Sequence, residues 1–242
     1  MFEEVLDTFE NEDLKELALE MIKTIPPYFY NVGASSTGKY HPAYAVGNGG
    51  LYRHTIAVCR FLNYLLDTSS IDSRDKDLLR IAAIMHDSRK SGDQNDYEGS
   101  KYTRFDHPLM AAEVVRSFNS GEWNEEEIEK IASVIEAHMG KWNTSTKSKV
   151  VLPVPKNKYQ LMLHMADYLA SRKDICFYDF LSDTNTERQT KTVPTMPFGK
   201  HKGEEINNIP IDYLRWVIDN ADIKEGWLKN SILKRLNDEG EN

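Results

Sequence analysis

The chain has 242 residues, of which 40% are hydrophobic and 28% are charged, as is ordinary for a globular protein that can bury a sizeable core. Its formal net charge of −8 argues against a general nucleic-acid coat, although a local basic groove is compatible with it. Two cysteines indicate a reducing compartment, and the lack of a signal-peptide pattern or a run of roughly 20 apolar residues predicts a cytoplasmic protein without a membrane span.

Helical periodicity dominates the chain up to about residue 175. Apolar residues recur at three- and four-residue spacing in six segments, which predicts helices near 11–24, 52–67, 74–87, 107–119, 124–139 and 157–173. The pattern weakens beyond them, so residues 179–194 are predicted to be a polar linker. We therefore predict an all-α helical bundle over residues 1–178 and a small α+β appendage over residues 195–242, with a last amphipathic helix near 224–237.

A glycine-rich segment, GASSTGK at residues 33–39, is nearly a phosphate-binding P-loop. A P-loop follows a buried strand, and Pro26 and Pro27 argue against such a strand here. The lysine of a P-loop is followed by Ser or Thr, whereas Lys39 is followed by Tyr40. We interpret the segment as a loop that leads into the next helix.

Four histidines and two aspartates are predicted to point inward among apolar neighbours, on five different helices. An unpaired carboxylate in an apolar interior is strongly disfavoured, so six such groups require a compensating cation. Imidazole and carboxylate are suitable ligands for divalent Mn, Fe, Co, Ni or Zn, and Mg is a further candidate. The sequence therefore predicts two divalent metal ions held by His54, His86, Asp87, His107, His138 and Asp167, with Asp87 suited to bridge them.

The order of these residues resembles the HD-domain superfamily of metal-dependent phosphohydrolases, in its six-ligand, two-metal form. The matching sequence motifs are GGLYRHT, IMHDSRK and MADYLASR, and the resemblance extends over roughly residues 30–175. The loop ASSTGKYHPAY looks most like the HD domains of bacterial 3′-to-5′ exoribonucleases. By this resemblance one ion is held by His54, His86, Asp87 and Asp167, and the other by Asp87, His107 and His138.

Two branches of the superfamily match less well. HD-GYP esterases carry a second histidine and a Gly-Tyr-Pro segment after the fourth ligand position, but the segment AHMGKWN has neither, which argues against cyclic di-GMP as substrate. The dNTP triphosphohydrolase branch usually lacks the fourth histidine, so His138 argues against a single-metal dNTPase.

The resemblance and the ligand set together predict hydrolysis of a phosphoester, in a nucleotide or at a nucleic-acid 3′ end, by a hydroxide bridging the two ions. Lys90 lies one turn past Asp87 and is predicted to neutralise the charge of the phosphate. His41 is predicted either to protonate the leaving oxygen or to contact the substrate. Two alternatives stay open: an HD-type di-iron oxygenase with the same ligands, and a noncatalytic nucleic-acid-binding protein.

Further residues are candidates for contacting a nucleotide or a single-stranded nucleic acid, the expected partner. Lys39 lies in the loop that is expected to line the metal cleft, and Arg172 follows the helix of Asp167. The long polar loop 91–106 contains Tyr97 and Tyr102, which could stack a base.

The C-terminal segments MPFGKHKG and IPIDYLRWV resemble a short bacterial and phage module built around the motif P-F-G-K-x-K-G. This likeness and the compact size are compatible with a phage origin. If the module binds nucleic acid, base stacking and phosphate contacts would come from Phe198, Lys200, His201, Lys202 and Trp216. The alternative is a small packing appendage in which Leu214 and Trp216 are core residues.

Overall fold

The structure is a computed structural model that describes residues 2–36, 38, 41–93, 103–119, 121–173, 175, 195–221 and 227–238. The chain divides into two compact units, Met1–Cys176 and Phe177–Asn242. Within the described residues the regular elements are helices and no strand occurs, which confirms the predicted all-α class. None of the helices in these ranges has the length and apolar character needed to cross a bilayer.

The described part of the first unit contains seven α-helices. They are α1 (Glu3–Leu6), α2 (Glu12–Lys23), α3 (Gly50–Asp67), α4 (Ser73–Met85), α5 (His107–Arg116), α6 (Glu125–Glu136) and α7 (Lys158–Ala170). Short 3-10 turns, Pro27–Tyr30 and Ala43–Ala45, lie between α2 and α3. The six predicted helices correspond to α2–α7, while the short α1 was not predicted. Several predicted ends extended too far, because inward-facing residues continue through the turn that follows a helix.

The helices of the first unit pack around α3 and α4. Helix α3 contacts α4 and α7, α4 also contacts α6, and α5 lies against α6. One face of α3 carries an apolar stripe in which Val58 and Leu62 are fully inaccessible and Phe61 is buried. Because this stripe also contains His54, the packing of α3 carries that histidine into the interior together with its apolar neighbours.

The loop before α3 packs so closely on the start of the helix that only glycine fits at Gly50. A Cβ atom there would lie 2.4 Å from the carbonyl oxygen of Ala45 and 3.1 Å from the Cα atom of Gly33. The backbone N–H of Leu51 donates to the carbonyl of Val32 at 2.9 Å. The P-loop-like segment therefore begins a loop that packs against the start of α3. The same loop contains His41, whose ring lies beside that of His54 in α3.

A buried carboxylate, that of Asp77 in α4, ties α2, α3 and α4 together. Its Oδ2 accepts hydrogen bonds from the backbone N–H groups of Glu10 (3.0 Å) and Asn11 (2.8 Å), just before α2. Its Oδ1 accepts from Arg80 Nη1 at 2.6 Å, and Arg80 Nε donates to Asn63 of α3 at 2.9 Å. Asp77 thus satisfies amides at the start of α2 that have no partner within the helix.

The second unit has a small core of its own. Its described part contains a 3-10 turn (Ile206–Asn208), α8 (Ile211–Asn220) and α9 (Trp227–Asp238), the last of which corresponds to the predicted C-terminal helix. Leu214, Val217 and Ile232 are fully buried in this core. Among the described residues of this unit, the β component of the predicted α+β appendage is one isolated antiparallel bridge, between Thr195 and Glu205. The predicted linker, residues 179–194, falls outside the described residues.

Candidate metal centre

Helix ends bring most of the predicted ligands to one place. His86 directly follows α4 with Asp87 next to it, His107 is the first residue of α5, and His138 lies two residues after α6. His54 stands in the second turn of α3 and Asp167 in α7. Because α4 and α6 both end at this centre, their C-terminal carbonyl dipoles add negative potential there, which favours a cation.

The four histidines and Asp87 are buried, with exposed fractions of 0–2%. Two other side chains of the centre reach solvent, since Asp167 is 19% exposed and Lys90 is 14% exposed. Asp167 and Lys90 therefore mark the accessible edge of the centre.

The carboxylate of Asp87 divides the four histidines into two pairs. Its Oδ1 lies 2.9 Å from Nε2 of His107 and 3.6 Å from Nε2 of His138. Its Oδ2 lies 3.5 Å from Nε2 of His86 and 3.9 Å from Nε2 of His54. Each pair together with Asp87 offers three ligand atoms within 4.8 Å of one another, a spacing that suits a metal ion.

Asp167 joins the group through His54, because its Oδ1 lies 3.0 Å from the Nε2 of that ring. The structure thus brings together all six residues that were predicted as metal ligands. They come from five helices or helix ends, as the sequence pattern had indicated.

Backbone carbonyls orient three of the rings. The Nδ1 atoms of His86, His107 and His138 lie 2.8, 2.6 and 2.8 Å from the carbonyl oxygen three residues earlier in the chain. A carbonyl only accepts hydrogen bonds, so each Nδ1 carries the proton and each Nε2 of a neutral ring presents a lone pair.

These three Nε2 atoms are buried and have no hydrogen-bond partner among the described residues. A lone pair that faces an ionised carboxylate at 2.9 Å, as in His107, is unfavourable unless a cation lies between them. The donor set therefore fits divalent metal ions.

The charges of the centre also set the protonation of its ligands. Burial acts to lower the pKa of His86, but the charge of Asp87 outweighs it and raises that pKa. Burial acts to raise the pKa of Asp87, but Lys90 and the surrounding imidazoles outweigh it and hold that pKa well below its usual range. Burial likewise opposes ionisation of Asp167, and the hydrogen bond with His54 outweighs it, so the pKa of Asp167 is also lowered. Burial, with Lys90 adding to it, lowers the pKa of His107 to about 4. Ionised carboxylates and a neutral imidazole are the forms that bind metals.

Lys90 lies beside the bridging carboxylate, with its Nζ 3.0 and 2.8 Å from the two oxygens of Asp87. Its segment is held by Tyr28, whose hydroxyl accepts from the N–H of Ser91 at 3.2 Å and donates to the carbonyl of Gly92. Sequence reasoning missed Tyr28, because Ser91 and Gly92 lie more than 60 residues from it and follow no periodic pattern.

His41 lies beside the centre, with its ring centroid 5.2 Å from that of His54. Its Nε2 is 3.5 Å from Ser171 Oγ, and its buried Nδ1 has no partner within the part of the chain that is described. Burial, together with the charges of His54 and Lys90, lowers the pKa of His41 to about 4. The ring is therefore neutral at neutral pH.

The remaining predicted substrate contacts are placed only in part. Arg172 follows α7, with its guanidinium carbon 5.5 Å from the ring centroid of Tyr168. Lys39, Tyr97 and Tyr102 fall outside the described residues.

In the second unit, Leu214 and Trp216 are the residues that the packing-appendage alternative predicts to be core, and they differ in their burial. Leu214 is fully buried, as that interpretation requires. Trp216 is 55% exposed and Phe198 is 40% exposed, so these two aromatic side chains are accessible for contacts outside the unit.

An all-α bundle with a buried histidine–aspartate centre defines a class of helical metal-binding protein. The family model described as "HD domain" matches residues 51–172, half of the chain and the range that contains all six centre residues. The chain therefore belongs to the HD-domain family, whose members are in general metal-dependent phosphohydrolases. The predicted resemblance is confirmed at this level.

A second family model, described as "Putative quorum-sensing-regulated virulence factor", matches residues 188–232, so the second unit is similar to that family. Searches of curated proteins and of solved structures found no match.

Proposed function

We propose that the protein hydrolyses a phosphoester, in a nucleotide or at a nucleic-acid 3′ end, with two divalent ions in the centre. The observation that carries the proposal is the geometry of Asp87, whose two oxygens face two different pairs of buried histidines. One carboxylate between two sets of nitrogen donors is the arrangement expected of a ligand that bridges two ions.

The proposed ligands follow from these distances. One ion would be held by His54, His86 and Asp87 together with Asp167, which contacts His54, and the other by Asp87, His107 and His138. When bound, such a pair supplies a hydroxide nucleophile at neutral pH and stabilises the non-bridging oxygens of a phosphate. The carbonyls that accept from the Nδ1 atoms hold the rings in the ligating orientation.

Lys90 and His41 are proposed to act on the substrate at the accessible edge. Lys90 is paired with Asp87 here, and its partly exposed ammonium would donate to an oxygen of a phosphate held beside that carboxylate. The pKa of about 4 leaves few His41 rings protonated at neutral pH. We therefore assign His41 to a hydrogen bond with the substrate rather than to protonation of the leaving oxygen.

The proposal is tested by an activity screen on full-length protein stripped of metal with a chelator. Mn, Co, Ni, Mg and Fe are added back separately to nucleoside monophosphates, dNTPs, cyclic dinucleotides and 3′-labelled single-stranded RNA and DNA. We expect no cleavage without metal and metal-dependent release of nucleotide or phosphate from at least one substrate. Oxygen uptake with iron-dependent colour and no hydrolysis would instead identify an oxygenase.

Lys90→Met is expected to lower kcat about 100-fold on the substrate found in that screen, because one charged donor to the phosphate is lost. The metal content is expected to stay unchanged, since Lys90 is not a ligand. Metal content is measured by mass spectrometry and kcat by steady-state kinetics. Lys149→Met, which alters an exposed lysine, is the matched control. An unchanged kcat in Lys90→Met would refute the role given to this lysine.

A further inference from the structure

Three aromatic side chains form a cluster next to the metal centre. The rings of Trp142 and Tyr168 are stacked, with centroids 5.5 Å apart and an interplanar angle of 24°. The ring of His164 lies 6.0 Å from Trp142 and 6.4 Å from Tyr168. We call Trp142, His164 and Tyr168 the aromatic platform.

The platform is held against the turn that carries His138. Nδ1 of His164 lies 2.8 Å from the backbone carbonyl of His138 and donates to it. At Gly140, which has a φ of 57°, a Cβ atom would lie 2.1 Å from Cε1 of His164. The ring of His164 therefore rests directly on this turn, and the position of the platform relative to the metal-facing His138 is built into the fold.

Helix α7 joins the platform to the accessible edge of the centre. Of the six predicted ligands Asp167 is the one that reaches solvent, and it stands on α7 next to Tyr168 and one turn from His164. A substrate that approaches the centre past Asp167 therefore passes the helix that carries two of the three platform rings.

Exposure and charge give the platform the character of a base-binding surface. Trp142 is 45% exposed, although an indole of this size is usually largely buried. Lys141 Nζ lies 4.9 Å from the ring of Trp142, and the guanidinium of Arg172 lies 5.5 Å from that of Tyr168. Both cations lie over ring faces here, so a base that stacks on the cluster takes the place of one of them, and the displaced cation can contact a phosphate. Exposed rings with cations beside them combine base stacking with phosphate contacts, as in sites for single-stranded nucleic acids.

We propose that the aromatic platform stacks a nucleobase of the substrate while the neighbouring phosphoester is held at the metal centre. This inference rests on the proposed hydrolysis, and it narrows the substrate class to base-bearing phosphoesters. Lys141 and Arg172 then contact phosphates next to the stacked base. Substrates that lack a base bind more weakly, because every base offers a π face to the rings and a bare sugar phosphate does not.

Trp142→Ala separates base recognition from catalysis. Its kcat/KM is measured on a single-stranded oligonucleotide and on the same oligonucleotide with abasic residues at its 3′ end. We expect a loss of about 10-fold or more on the normal substrate and less than about 2-fold on the abasic one. Trp142→Phe keeps an aromatic face and is expected to retain most of the activity. Tyr64→Ala, which removes an exposed aromatic ring from α3, is the matched control. An equal loss on both substrates, or no loss on either, would overturn the platform.

A binding measurement distinguishes failure of the platform from failure of the hydrolase. Calorimetry is performed on the wild-type chain and on Trp142→Ala, in chelator, with adenosine monophosphate and with ribose 5-phosphate. If the wild type binds adenosine monophosphate more tightly than ribose 5-phosphate, and Trp142→Ala loses this difference, the base-stacking role of the platform is supported even if no substrate is cleaved. If the protein cleaves a substrate but Trp142→Ala binds the nucleotide as tightly as the wild type, the proposed hydrolase activity is supported and the base-stacking role of the platform is refuted.

Discussion

Asp87→Asn is expected to abolish metal-dependent hydrolysis, with a loss of well over about 100-fold in kcat/KM. Removing a residue that only supports a ligand typically costs 10- to 100-fold, and Asp87 itself faces all four histidines. An asparagine has a single acceptor oxygen, so its amide nitrogen would face one of the two histidine pairs with hydrogens instead of a lone pair. We expect metal content to fall together with activity.

The control for Asp87→Asn is Asp67→Asn, which makes the same change at an exposed position at the end of α3. Thermal melting in chelator shows whether the variant is folded. The double variant Asp87→Asn/Lys90→Met removes the ammonium that the single variant leaves without its carboxylate. Full metal content together with wild-type activity in Asp87→Asn would refute the bridging role.

Asp77→Ala is expected to give a large loss of stability, about 3–5 kcal/mol of the free energy of unfolding. The substitution leaves Arg80, which is 5% exposed, without the carboxylate that accepts from it, and it removes the acceptor of two amides before α2. A loss of this size lowers Tm by roughly 10 °C in a domain of this length.

The measurement for Asp77→Ala is urea unfolding of metal-free protein, with Asp67→Ala as the exposed control. The metal content of the folded fraction is expected to be unchanged, because Asp77 contacts none of the centre residues in its hydrogen bonds. A loss below 1 kcal/mol would show that water replaces the carboxylate at little cost. Asp77 and Asp87, the buried aspartates among the described residues of the first unit, thus have different expected effects: Asp87→Asn lowers activity and Asp77→Ala lowers stability.

The sequence alone determined the helical class and the candidates for the centre. A helix places residues three and four apart on one face, so the apolar neighbours of His54 and Asp167 show that both point inward. A buried carboxylate needs a cation, which makes a set of inward histidines and aspartates a metal hypothesis before any coordinates are known. The order of these residues pointed to the HD-domain superfamily, and the HD-domain match confirmed that resemblance at the level of the family.

Tertiary structure alone decided which atoms meet. Periodicity indicates the face of a helix on which a residue lies but not its partner on another helix. The resemblance had indicated which histidines share an ion, but which oxygen of Asp87 each pair faces required the packing of α3, α4, α5 and α6. The backbone amides of Glu10 and Asn11, which donate to Asp77, lie more than 60 residues from it, and Trp142 meets Tyr168 across 26 residues of chain. Such contacts arise when separate helices pack side by side, and no local pattern of residues records them.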